Sequence, residues 1–217
     1  MYDLTLVVGN KNYSSWSLRP WLIMRHFGIE FEEVRIPLYN SSSSTLIYQY
    51  SPSGKVPVLI DKTLAVWESV AILEYLAEKF PQYHWWPPVL SSRAIARSLS
   101  YEMHAGFLAL RHEMPMNCRA FLPGKSMTEM ARKDTLRVQE IWRTCRERFV
   151  GEGKWLFGTF SIADAMFAPV VLRFRTYDIK LDEVCRAYSE SILSLPEMVS
   201  WLEAAELEEE SLPQFER

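Results

Sequence analysis

The hydrophobic pattern of the chain changes near residue 81, and this change constrains the fold more than any other feature. Before it, short apolar runs at 4–8, 31–36, 56–60 and 64–66 alternate with amphipathic stretches at 17–27 and 69–80. After it, apolar residues recur every three or four positions, as along 95–110 and 134–149. Alternating strands and helices are typical of an α/β unit, whereas a sustained period of about 3.6 indicates helices. We therefore predict an α/β domain over residues 1–80, a linker over 81–90 and an all-α domain over 91–217.

Charge and composition narrow the classes of function. The 217 residues carry 24 basic and 27 acidic side chains, interspersed along the chain, so we expect no nucleic-acid partner. No apolar stretch approaches the roughly 20 residues of a membrane span, and no leader is evident, so we expect a cytoplasmic protein without a membrane partner. The histidines and the separated Cys118, Cys145 and Cys185 fit no zinc pattern. We predict no metal site and three buried thiols.

Two adjacent serines, Ser14 and Ser15, lie between the first predicted strand and the first helix. A serine ahead of a helix commonly caps it, because its oxygen accepts a hydrogen bond from a free backbone N–H. Pro20 is best tolerated in the first turn of a helix, so we place the helix start near Ser17 and assign the cap to that residue. The hydroxyls of Ser14 and Ser15 would then be free to face a ligand beside the positive end of the helix.

Two later motifs add groups that suit a peptide-like ligand. In "SPSGKVPVL", Pro57 begins a predicted strand, and the Val56–Pro57 bond is as consistent with a cis as with a trans peptide. A cis bond would turn the backbone polar groups of Val56 outward, where they could pair with an extended peptide. In "WESVAILEYLAEKFP", Glu68 and Ser69 open an amphipathic helix. Such a pair can hold a carboxylate and an ammonium group, although it is also a common helix cap.

Four motifs together resemble the cytosolic glutathione S-transferases of the serine type, with zeta- and theta-like features. They are Ser14-Ser15 with Arg19, Lys55-Val56-Pro57, Glu68-Ser69 followed by "AILEYLAEKFP", and "FGTFSIADAMFAP" at 157–169. The resemblance implies a thioredoxin-like, glutathione-binding N-terminal domain, an all-α C-terminal domain that shapes the second-substrate pocket, and a homodimer. It also implies a cis Val56–Pro57 bond, with Val56 paired to the cysteinyl backbone of glutathione. Glu68 and Ser69 would hold its γ-glutamyl end, and Lys55 would lie near the tripeptide.

The function that this resemblance implies is a transferase of detoxification, with glutathione as co-substrate. A serine hydroxyl that donates a hydrogen bond to the sulfur would keep the thiol ionised for attack on a hydrophobic electrophile. We assign this role to Ser14, which stands five residues before Arg19, with Ser15 as its close rival. Zeta-like maleylacetoacetate isomerases carry a cysteine that "YSSWSLR" lacks, so a glutathione-dependent isomerase is a weaker alternative. A glutathione- or ligand-binding protein with little turnover is the other alternative.

Four further predictions concern supporting segments. The pattern "SIAD" at 161–164 indicates a capping box, in which the acidic side chain bonds back to the start of the helix. Arg19 is predicted to be a buried or half-buried partner of a carboxylate. The serine-rich stretch 40–45 is predicted to be a loop, and Phe215 in the acidic tail could dock back onto the body of the protein.

Overall fold

A four-stranded sheet organises the N-terminal part of the chain. The structure is a computed structural model, and it describes residues 3–149, 151 and 153–216. The strands are β1 (Leu4–Val8), β2 (Glu32–Arg35), β3 (Val58–Asp61) and β4 (Leu64–Trp67). Their order across the sheet is β2-β1-β3-β4, with β1 parallel to β2 and antiparallel to β3, and β3 antiparallel to β4. The two central strands are largely buried, as their apolar sequences predict.

Three helices cover this sheet, and the alternation of side chains along the strands decides which residues each face buries. The helices are α1 (Ser15–His26), α2 (Ser43–Tyr48) and α3 (Ser69–Lys79). Leu6 and Leu59 point into the main core, which includes apolar residues of α1 and α3. Val7 and Val58 point to the opposite face, where Ile47 of α2 packs against them. This arrangement follows from the period of two along a strand.

The rest of the described chain is helical, and one helix forms its centre. The elements are α4 (Leu90–Ala105), α5 (Leu108–Glu113), α6 (Glu129–Phe149), α7 (Ile162–Thr176), α8 (Glu183–Leu193), α9 (Pro196–Glu206) and a short turn at Pro213–Phe215. Nearly every residue of α7 is buried, and α7 packs against α1, so one continuous core runs from the sheet into the helical part. No helix in the described ranges has the length and apolar character needed to cross a membrane.

The predicted order, an α/β part followed by an all-α part, is confirmed, but two local predictions are wrong. Helix α1 begins at Ser15 rather than near Ser17, and Ser14 is its N-cap. Pro20 therefore lies in the second turn, where it lacks the N–H of a helical hydrogen bond and its ring crowds the carbonyl group of Trp16, four residues earlier. The segment 40–45 is not wholly a loop, because α2 begins at Ser43. The Ser43 hydroxyl fixes this start by donating to Pro37 O at 2.6 Å.

Candidate active site

The strand register brings three separate segments to one edge of the sheet. Val7 of β1 pairs with Val58 of β3, and Val58 pairs with Trp67 of β4. Because β3 is antiparallel to both neighbours, the end of β1, the start of β3 and the end of β4 lie at the same edge. The predicted site residues at 55–57 directly precede β3, those at 68–69 directly follow β4, and those at 14–15 lie after the short loop that follows β1. Segments far apart in sequence can therefore face one ligand.

Ser14 is held by the helix that it caps. Its oxygen accepts a hydrogen bond from Ser17 N at 3.3 Å, and its hydroxyl donates to Ser17 Oγ at 2.7 Å. Ser17 Oγ also accepts from Gly9 N at 3.0 Å. The prediction that Ser17 caps the helix while the Ser14 hydroxyl stays free is therefore wrong. In this arrangement the Ser14 proton is already used within the protein, because a hydroxyl has one proton to donate.

Ser15 occupies the first position of α1, and its hydroxyl is differently placed. Its oxygen accepts a hydrogen bond from Arg173 Nη2 at 3.1 Å, in a buried setting. Among the described residues, no acceptor takes the Ser15 proton. A hydroxyl whose oxygen accepts from a cation and whose proton is unused is a polarised donor. Ser15 also lies at the positive end of the α1 dipole, which favours negative charge beside it.

The predicted cis bond between Val56 and Pro57 is present. The turn before it depends on Gly54, whose φ is +66°. A Cβ at this position would lie 2.7 Å from the ring of Tyr48, so a larger residue would be strained in backbone and in packing. Lys55 follows on the exposed side of the turn.

Two adjoining cavities open beside these segments. The larger has a volume of about 640 Å³ and is bordered by both serines, Lys55, Val56 and, on the opposite wall, residues of the helical part. The smaller, of about 130 Å³, is bordered by Lys55 and Val56 together with Pro57, Glu68 and Ser69. The indole of Trp16 also borders both. The structure therefore places all seven predicted site residues around two connected spaces.

Glu68 and Ser69 differ in their exposure and in their hydrogen-bond partners. Ser69 is buried, and its hydroxyl oxygen has no hydrogen-bond partner among the described residues. A buried hydroxyl without a partner costs free energy unless a ligand or water completes it. Glu68 is exposed, adopts a left-handed φ of 68° and lies 3.6 Å from His104 Nε2. Burial, together with the charge of Arg19, lowers the pKa of His104, so at neutral pH this contact joins a carboxylate to an uncharged ring.

Two arginines of the helical part complete the larger cavity, and the sequence analysis missed both. Arg173 on α7 is buried and donates to Ser15, to Arg111 O at 3.3 Å and to Met114 O. Arg111 on α5 donates from Nε to Gly106 O at 3.0 Å. Burial lowers the pKa of Arg173 to about 9, with repulsion from Arg111 adding to the effect, and lowers that of Arg111 to about 10. Both groups therefore remain charged at neutral pH.

Arg19 is buried as predicted, but no carboxylate among the described residues pairs with it. Its Nε donates to Met166 O at 3.2 Å, while Nη1 and Nη2 have no partner among the described residues. Its guanidinium lies 4.2 Å from the centre of the Trp16 ring, and that of Arg111 lies 4.6 Å from the same ring. Burial and the charges of Arg111 and Arg173 lower the pKa of Arg19. Two guanidinium groups, those of Arg19 and Arg111, therefore lie against the same indole, and the charge of Arg173 is close enough to act on both.

The C-terminal segment docks at the mouth of the larger cavity, as the sequence allowed for Phe215. The Phe215 ring lies 5.6 Å from the rings of Tyr13 and Tyr39 and borders the cavity. Glu208 anchors the same segment by accepting from Lys11 N at 2.6 Å and from Asn12 N at 3.0 Å. The tail is therefore part of the wall rather than a solvated end.

The cysteines lie apart from this site. Cys118, Cys145 and Cys185 are free and buried, as predicted. Burial raises the pKa of each thiol to about 12. At neutral pH they are protonated and poor nucleophiles. Over the described ranges, no three His, Cys, Asp or Glu side chains come together in a geometry that could hold a metal ion.

Comparisons with known proteins point to one family. Residues 13–79 match the family model described as "Glutathione S-transferase, N-terminal domain". Glutathione S-transferase T1 of Arabidopsis thaliana is 30% identical over 170 residues, which cover 70% of this chain and 66% of that protein. A dichloromethane dehalogenase of Methylophilus leisingeri is 35% identical over 68 residues, which cover 30% of this chain and 26% of that protein. The matched segments thus span less than two thirds of either relative's own length.

A solved structure extends the likeness to almost the whole chain. The glutathione transferase homolog from Burkholderia GL BGR1, described with bound glutathione, superposes with a TM-score of 0.70 at 23% identity. The match covers 95% of this chain and 99% of the other. It confirms the predicted fold class, a thioredoxin-like α/β part followed by an all-α part.

Proposed function

The chain belongs to the cytosolic glutathione S-transferase family, and on this premise we propose that it is a glutathione transferase that activates the glutathione thiol through a serine hydroxyl. The observation that carries the proposal is the state of Ser15: its oxygen accepts from Arg173, its proton has no acceptor in the part of the chain that the structure describes, and it borders the larger cavity. In this proposal glutathione is a co-substrate rather than a resident cofactor. The division at residues 1–80, 81–90 and 91–217, the homodimer and the cytoplasmic location stay predictions.

The tripeptide would lie across the two cavities. The buried, unpartnered hydroxyl of Ser69 and the carboxylate of Glu68 would hold the γ-glutamyl end in the smaller cavity. The backbone of Val56, which borders both cavities, would pair with the cysteinyl residue. Lys55 borders both cavities and is suited to a carboxylate of the tripeptide. The sulfur would then lie in the larger cavity.

Ser15 is better placed than Ser14 to act on that sulfur. An unperturbed thiol has a pKa of about 8.5, and lowering it by about two units requires about 2.7 kcal/mol. A hydrogen bond to a charged group contributes about 1.5–3 kcal/mol, and a helix N-terminus about 0.3–2 kcal/mol. One donating hydroxyl at the start of α1 is therefore sufficient. Ser14, assigned this role from the sequence, would first have to release Ser17.

The reaction that follows is a nucleophilic attack by the anionic sulfur. A sulfur lone pair forms the bond to an electrophilic carbon, and the leaving group departs with its bonding electrons. In an addition, the adjacent carbon takes up a proton instead. An isomerase would use the same activated thiol on a different acceptor, so that alternative concerns the substrate rather than the activating group.

Ultraviolet absorbance of the bound thiolate, titrated against pH, tests the proposal. We compare the wild type with Ser15→Ala, Ser14→Ala and the exposed control Ser98→Ala. Ser15→Ala should raise the pKa of the bound thiol by about one to two units. Ser14→Ala should leave this pKa nearly unchanged but lower the free energy of unfolding by about 1 kcal/mol, because the helix cap is lost. Ser98→Ala should match the wild type in both measurements.

Three results would contradict parts of the proposal. If glutathione binds to the wild type without a thiolate band near neutral pH, the protein is a glutathione-binding protein rather than a transferase. If Ser14→Ala abolishes the band and Ser15→Ala does not, the activating residue is Ser14. If neither change moves the thiol pKa, no serine activates the sulfur.

A further inference from the structure

The larger cavity carries an excess of positive charge. Three cationic side chains border it, Lys55, Arg111 and Arg173, and no Asp or Glu does so within the described part of the chain. The whole sequence has a net charge of −3, so the excess is a local property of the cavity. A cavity lined by charge of one sign attracts ligands of the opposite sign.

Glutathione accounts for only part of this charge. As assigned above, its two carboxylates would face Ser69 at the α3 start and Lys55, and its ammonium group would face Glu68. The thiolate would face Ser15, with Arg173 directly behind the hydroxyl. Each ionised group of the tripeptide then has a partner, and the side chain of Arg111 has no assigned anion.

Arg111 is built into the cavity wall with one end of its side chain unused. Nε donates to Gly106 O and Nη2 to Met103 O, which fixes the plane of the guanidinium beside the Trp16 ring. Nη1 has no hydrogen-bond partner in the described part of the chain. Half-buried cations without a carboxylate are costly, and a fixed guanidinium binds a carboxylate with good geometry.

Resting on the proposed function, we propose that the electrophile carries a carboxylate and that Arg111 binds it. Trp16, Pro115 and Met116 provide an apolar wall for the body of such a molecule. The second substrate is then an amphipathic acid rather than the purely hydrophobic electrophile predicted from the resemblance. Arg173 supports the sulfur, whereas Arg111 selects the acceptor.

Two electrophiles that differ only in a carboxylate can show whether Arg111 recognises the negative charge of the substrate. The first is a chloronitrobenzoate with chlorine para to the carboxylate and ortho to the nitro group, and the second is its neutral primary amide. In both, the sulfur bonds to the ring carbon and chloride leaves with the bonding pair. Intrinsic reactivity differs between the two, so we compare how each variant changes kcat/KM for each substrate.

Three variants are required. Arg111→Gln should lower kcat/KM for the benzoate about tenfold, equivalent to about 1.4 kcal/mol, and change that for the amide less than about twofold. Arg111→Lys should retain most of the activity towards the benzoate, because the charge remains. Arg175→Gln removes a charge from an exposed position on α7, outside the cavity, and should affect neither substrate.

A binding measurement on the unaltered protein keeps the test independent of catalysis and of variant folding. At saturating glutathione, nitrobenzoate should bind about tenfold more tightly than nitrobenzamide and should compete with the electrophile, not with glutathione. Equal binding of the two would overturn the proposal. An equal loss of both activities in Arg111→Gln would also overturn it, because Arg111 would then act on the sulfur or the fold. Failure of the proposed function is a separate result, recognised by the absence of a thiolate band.

Discussion

Replacing Arg173 tests whether its charge acts on the sulfur through Ser15. Arg173 Nη2 lies 3.1 Å from Ser15 Oγ, and a hydrogen-bonded sulfur would lie about 3.3 Å beyond that oxygen. The two charges are then about 6 Å apart, which corresponds to about 3 kcal/mol at an effective dielectric constant of about 20. This energy equals about two pKa units. Arg173→Gln should therefore raise the pKa of the bound thiol by about two units.

The matched variant is Arg173→Lys, which keeps the charge but loses the planar fork. It should raise the thiol pKa by well under one unit, because the Coulomb interaction depends on charge and distance. Thiolate absorbance is titrated for both variants with glutathione saturating, and thermal unfolding checks that each is folded. Arg175→Gln serves as the control for loss of charge elsewhere on α7. If Gln and Lys at position 173 give the same thiol pKa, the charge does not act on the sulfur, and Arg173 only positions Ser15.

The remaining predictions concern glutathione affinity, stability and thiol reactivity. Ser69→Ala should raise KM for glutathione about fivefold to tenfold and leave kcat nearly unchanged in steady-state assays, because its buried hydroxyl would lose a ligand bond. Burial raises the pKa of Asp164 to about 6, above its unfolded value of about 4, so the native state binds this proton more tightly. The free energy of unfolding of the wild type, measured in urea, should therefore decrease as the pH rises from about 4 to about 6. Asp164→Ala should lack this decrease. In the native protein Cys118, Cys145 and Cys185 should resist a thiol reagent near neutral pH, and all three should react after unfolding in denaturant.

Elements with a strong hydrophobic period could be predicted from sequence, and one element without it could not. The first strand was predicted at 4–8 and α3 at 69–80, against Leu4–Val8 and Ser69–Lys79 in the structure. Helix α2 lies in a serine-rich segment with no apolar period. Its Ile47 packs against Val7 and Val58, two residues that are remote in sequence. Tertiary packing therefore determines this helix, and a local pattern could not reveal it.

Some residues of the candidate site could likewise be predicted from the sequence, and others could not. Its N-terminal residues could be predicted because each lies where a strand meets a helix or a turn, and the sheet brings those points to one edge. The direction of the Ser14 hydroxyl could not, because it depends on the second acceptor that Ser17 provides. Arg173 can be singled out from the sequence, because it is the only charged residue in the apolar run "AMFAPVVLRF" at 165–174. A charged side chain in a buried helix is costly unless it is paired or hydrogen-bonded, so its position in this run marks it as a candidate for a specific role.

The unpaired arginines are not explained by a shortage of nearby carboxylates. Asp134 is near enough to offset part of the lowering of the Arg111 pKa by burial, yet its oxygen accepts from Leu110 N at 3.0 Å and forms no ion pair with Arg111. Glu208, close to the loop before α1, accepts from two backbone N–H groups and from Arg35. The carboxylates of Asp134 and Glu208 thus bind backbone N–H groups, and Glu208 also binds Arg35. Arg111, at the cavity, keeps an Nη1 donor without a partner in the described part of the chain. Half-buried donors without partners carry a desolvation cost, so an anion that binds at the cavity would stabilise the fold. A thiolate at Ser15 and a carboxylate at Arg111 would supply both charges.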